Sequence, residues 1–61
     1  MKNSSDVARH LTVKLQRRIR ASHVDECAAK MGKKKMLRYD NQTIPAYYFT
    51  KEEIEEVERL I

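Results

Sequence analysis

Val24-Asp25-Glu26-Cys27-Ala28-Ala29-Lys30-Met31-Gly32-Lys33-Lys34-Lys35-Met36-Leu37-Arg38 is the stretch on which the fold turns. Val24, Cys27, Ala28 and Met31 recur at i, i+3, i+4 and i+7, so one helical face carries all four apolar side chains. Gly32 follows directly and can adopt the left-handed conformation that ends a helix. Beyond it, three lysines and an arginine point charge outward, which is useful against a polyanion and self-repelling in a free monomer.

Working outward, Ala21-Ser22-His23 reads as a short turn, with Ser22 as helix cap and Asp25 completing an approximate capping box. The spacing predicts a helix over about Val24 to Met31, then a short third helix over Lys33 to Tyr39 anchored by Met36 and Leu37. A turn-like Asp40-Asn41-Gln42-Thr43 ends it. Residues 22 to 40 thus outline a helix-turn-helix. Upstream, Val7, Leu11, Leu15 and Ile19 step by four and predict a first helix from Ser4 or Ser5 to about Arg20. Downstream, Ile44 to Phe49 has strand propensity but no evident partner strand, so an extended connector is expected. Thr50-Lys51-Glu52-Glu53, with Phe49 and Ile54 as a hydrophobic staple, predicts a last helix from Lys51 to about Leu60, with Ile54, Val57 and Ile61 facing the core. The expected architecture is one all-α domain, residues 1 to 61, of three to four short helices.

A 61-residue chain buries only about 60% of its unfolded surface, so a partner, such as a second copy, is a reasonable expectation. Charge is unevenly placed. Residues 1 to 38 hold eleven Lys and Arg against three acids, whereas residues 39 to 61 hold two against six, for net charges of +8 and −4. A nucleic-acid surface built from the first part follows, with the acidic end turned away or packed on a neighbour's basic surface. No stretch has the apolar length of a membrane span, and the amino terminus lacks the apolar run of a secretion signal; a cytoplasmic protein is expected.

The residues expected to contact nucleic acid are Arg17, Arg18 and Arg20 at the end of the first helix, Lys33, Lys34 and Lys35, and Arg38, Asn41 and Gln42. Lysines engage phosphates as point charges, while Arg, Asn and Gln can make paired contacts to guanine or adenine edges. Tyr39, Tyr47 and Tyr48 could stack on unpaired bases, but a chain with one Phe and no Trp has more use for them in packing. His23 and Cys27 are four apart, with His10 as a third candidate, but no fourth ligand has matching spacing, so neither a metal nor a cofactor is expected. Five glutamates on an exposed last helix lack the dry cleft that shifts a catalytic carboxylate, and no nucleophile arrangement or glycine-rich phosphate loop is present. An enzyme is not expected.

Two resemblances rest on these residues. Thr12 to Gly32, with Leu15, Ile19, Ala28 and Gly32 in register, resembles the first two helices of lambda-type phage lysogeny activators. Val24 to Gly32, followed by Ile44-Pro45-Ala46-Tyr47 and Phe49-Thr50-Lys51-Glu52-Glu53, is similar to excisionase and MerR-like helix-turn-helix domains. The interval from Gly32 to Ile44 is shorter than in either family, and no wing hairpin is expected between Tyr47 and Thr50. The resemblance implies that Lys33, Lys34, Lys35 and Arg38 enter the major groove of double-stranded DNA. It further implies a phage or mobile-element transcription regulator or recombination accessory factor; the small core adds the expectation of a homodimer. The acidic last helix would then meet RNA polymerase or a recombinase. A small inhibitor or adaptor of a host protein, using the apolar Ile44 to Phe49 strip, and an RNA-binding protein are the alternatives.

Overall fold

The computed structural model describes all 61 residues as three helices and one small sheet. The order is β1 (Lys2–Asn3), α1 (Ser4–Leu15), α2 (Ala21–Lys30), β2 (Tyr48–Phe49) and α3 (Lys51–Leu60). The expectation of a mainly helical domain holds, but the molecule is not all-α. β1 is the strand partner that the sequence reading lacked: it pairs antiparallel with β2, Lys2 opposite Phe49 and Asn3 opposite Tyr48. A two-residue strand of Lys and Asn carries no propensity signal.

α1 is capped by Asn3 rather than by Ser4 or Ser5; the Asn3 side-chain oxygen accepts from the Asp6 N–H at 2.9 Å. It ends at Leu15 rather than Arg20 because Gln16 takes a left-handed conformation, φ 54°, which stops the helix without glycine. α2 starts at Ala21, so the Ser22–Asp25 capping box does not form; Asp25 instead accepts a hydrogen bond from the Ser4 hydroxyl. At its other end Gly32, φ 76°, terminates α2 as expected. Lys33 N–H donates to Ala28 C=O at 3.0 Å and Gly32 N–H to Ala29 C=O at 3.1 Å, the paired bonds of a Schellman motif.

The third helix over Lys33 to Tyr39 is absent, and with it the helix-turn-helix read over residues 22 to 40. Residues 33 to 47 form a hairpin-like loop in which Met36 and Ala46 exchange backbone bonds, N–H to O, of 2.9 and 3.1 Å. The Ile44-Pro45 step favours extended backbone, and that extended segment takes the Met36 backbone into pairing.

Val7, Ala8 and Leu11 of α1, Ile19, Val24, Cys27 and Ala28 around α2, Phe49 and Val57 form one core. Ile54 and Ile61 pack against it beside Val57, as the last-helix pattern predicts. The Thr50 capping box is complete: Thr50 Oγ1 accepts from Glu53 N–H at 3.2 Å and the Glu53 carboxylate accepts from Thr50 N–H at 2.8 Å.

Candidate nucleic-acid interface

The turn between α1 and α2 is built by Thr12. Its hydroxyl accepts from Ile19 N–H at 2.9 Å and donates to Ala8 C=O at 2.7 Å, so the returning chain is tied to α1 while Ile19 drops into the core. The flanking residues have nowhere to go but outward. Arg18 and Arg20 are exposed and make no ion pair, whereas Arg17 donates to the Ile61 carbonyl at 3.2 Å and is partly occupied in holding the chain end.

Arg18 and Arg20 line a shallow cleft of about 410 Å³ with Arg9, Ser5 and Ser22. A second cleft, about 230 Å³, runs from the same Ser5 and Ala21 to Asp25, Lys35 and Tyr47. The two share Ser5 and Ala21, so one continuous surface passes around the amino terminus of α2, with arginines on one side and Lys35 on the other. No side chain caps that helix end. Ser22, Glu26, Ala29 and Lys30 are the exposed residues of α2.

The lysine run is divided by its surroundings. Lys33, placed by the Schellman turn, is folded back onto the body: its ammonium lies 2.6 Å from a Glu53 carboxylate oxygen and 5.2 Å from the Phe49 ring centre, with only 15% of the side chain exposed. It is therefore a structural cation and leaves the set expected to contact nucleic acid. Its hydrogen bond, followed by that from Thr50 N–H, holds the Glu53 carboxyl below its ordinary range. Lys34 is exposed and unpaired. Lys35 lies over the Tyr47 ring at 5.6 Å and Arg38 over Tyr39 and Tyr48 at 5.7 and 5.6 Å; Arg38 also donates to the Met1 carbonyl at 3.1 Å and, like Arg17, is partly occupied.

Gln42 is also withdrawn from base reading, because its amide is spent inside the loop. Its oxygen accepts from Arg38 N–H at 2.8 Å and the Tyr48 hydroxyl at 3.0 Å, and its nitrogen donates to Ile44 C=O at 2.8 Å. Asn41 beside it is exposed and free. The tyrosines separate likewise: Tyr48 is buried, Tyr47 half-buried and Tyr39 exposed.

The acidic face of α3 is partly neutralised by the chain's own cations, since Glu58 meets Lys14 at 2.9 Å, Glu53 meets Lys33, and Glu56 pairs with Arg59. Glu52 and Glu55 remain exposed. Cys27 is buried in the core, and burial pushes its thiol up, so it acts as a small apolar side chain. No three His, Cys, Asp or Glu side chains converge as metal ligands, and no helix is long and apolar enough to cross a membrane. No protein-family model, curated protein or solved structure matches the chain.

Proposed function

We propose that this chain binds double-stranded DNA through α1, the turn at residues 16 to 20, and α2, with α2 presented to the major groove. The helix-turn-helix is thus moved one helix toward the amino terminus from residues 22 to 40. The observation that carries the reading is the continuous surface around the start of α2, where Arg9, Arg18, Arg20 and Lys35 flank a helix end whose N–H groups have no side-chain cap. Helix N–H groups and arginines both suit phosphate oxygens, and a helix seated by such clamps offers its exposed side chains to base edges. Ser22, Glu26 and Lys30 would do the reading: Glu accepts from cytosine N4, Lys contacts guanine, and Ser engages either.

The excisionase and MerR-like resemblance, which sets Lys33 to Arg38 and not α2 in the major groove, bears only on the role, that of a phage-type transcription regulator or recombination accessory factor. Dimerisation fits the small core, and Glu52 and Glu55 of α3 offer an acidic contact for a second protein away from the cationic surface. A second reading, a protein-binding adaptor, draws on the exposed Leu37 and Ile44.

Fluorescence anisotropy on random duplex DNA across a salt series tests the proposal. Neutralisation of four or five phosphates gives a slope of log K on log salt of about −4. The pair Arg18→Glu with Arg20→Glu, both outside the core, should abolish binding while leaving helicity unchanged. Unchanged affinity in that variant would overturn the α2 placement, and no binding by the wild-type chain at low salt would put the adaptor reading first.

A further inference from the structure

Loop 33–47 contributes no buried residue, yet it carries Met36, Leu37, Tyr39 and Ile44 with half or more of each side chain in water. Ile44, at 77%, is the most exposed large apolar side chain of the molecule. It is not a loose end. Pro45 restricts the Ile44 backbone to extended conformations, and the Gln42 amide grips the Ile44 carbonyl at 2.8 Å while also holding Arg38 N–H and the Tyr48 hydroxyl. Met36 and Ala46 close the loop below it. This support presents an exposed Ile-Pro pair on a loop that also carries the exposed cations Lys34, Lys35 and Arg38 and one exposed acid, Asp40; Lys35 lines the same cleft as Pro45.

An apolar projection on a predominantly cationic loop is the complement of a base step between two phosphate backbones. Apolar wedges of Ile, Leu, Met or Pro open base steps from the minor groove and kink the duplex, and pyrimidine–purine steps yield most readily. We infer that Ile44, backed by Pro45, inserts between base pairs at a flexible step and bends the DNA. This rests on the DNA-binding reading above and adds to it an architectural activity and a preference for TA or CA steps at a position no hydrogen bond reads. The charge of the loop favours a polyanion such as DNA over a purely apolar protein groove as the occupant, because Lys34 and Lys35 have no anionic partner within the fold.

The test uses the whole chain with a 24-base-pair duplex of alternating TA steps carrying 2-aminopurine, and an all-G·C duplex of equal length. Anisotropy reports binding, 2-aminopurine fluorescence reports unstacking, and energy transfer between end labels reports bending. The wild-type chain should raise 2-aminopurine fluorescence at least twofold and shorten the end-to-end distance. Ile44→Ala should abolish both signals while weakening binding less than about tenfold, and Ile44→Leu should restore them. Binding without unstacking, or unstacking that persists in Ile44→Ala, overturns the wedge and leaves the DNA reading standing. Failure to bind either duplex overturns both. Ile44 lies outside the core, so an unchanged melting temperature separates loss of the wedge from loss of the fold.

Discussion

Arg17–Arg20 and Lys33–Arg38 are alike as strings of cations and unlike as structures. The first is pinned by the body of the protein: Ile19 is buried, Thr12 holds its N–H, and Arg18 and Arg20 on either side are exposed. The second is held by polar contacts, the Gln42 amide and the Met36–Ala46 backbone pair, with almost no apolar burial, and one of its lysines has been drawn into the fold by Glu53. A charge run counts cations; the apolar residue inside or beside it decides which of them face solvent.

Ile19→Ala removes a core side chain from the arginine turn and should destabilise the whole domain by about 2 to 5 kcal/mol, leaving it mostly unfolded at 25 °C by circular dichroism and urea titration. A variant that merely loosened the turn and kept global stability would show that Thr12, not burial, holds it. Gln42→Ala should cost about 1 kcal/mol globally, a melting shift of only a few degrees. It should still release the loop: the Met36 and Ala46 amides lose protection from hydrogen exchange, while Leu11 and Val24 keep theirs. Equal loss across both sets would mean that loop and body unfold as one unit.

The smallest effect concerns the lysine that the fold has captured. Glu53 has its carboxyl lowered by Lys33 and Thr50, so this contribution to stability is complete above the ordinary carboxylate value of about 4.3 and disappears as pH falls through the lowered value. Urea midpoints between pH 3 and 7 should therefore drop on the acid side in the wild-type chain and drop less in Glu53→Gln. Identical acid limbs would remove the Lys33–Glu53 pair from the stability of the loop.

Each feature legible beforehand was a local one. The apolar spacing at Val7 and Leu11 and at Val24, Cys27 and Ala28 marked buried faces, Gly32 marked the end of α2, and Thr50 with Glu53 marked the start of α3. Of the candidate site, Arg18 and Arg20 emerge exposed and unpaired, whereas Lys33 and Gln42 are occupied within the fold. Residues 33 to 39 favour helix by propensity, since Lys, Met and Leu are good helix formers, and the pairing of Met36 with Ala46 overrides it. Gln16 does not advertise a left-handed residue.

Local sequence therefore marks the helical segments, the polarity of charge along the chain and most core positions, but not Met36 and Leu37, expected as inward anchors and left half exposed by the fold. The tertiary structure alone decided that Lys2–Asn3 is a strand, that residues 33 to 47 are a loop and not a helix, and which cations stay free. The physical reason is range. Caps and helical faces depend on residues within one or two turns, whereas β1 needs Tyr48–Phe49 some 46 positions away, and Lys33 needs Glu53 twenty positions away. Such pairs exist only after the core has brought their elements together.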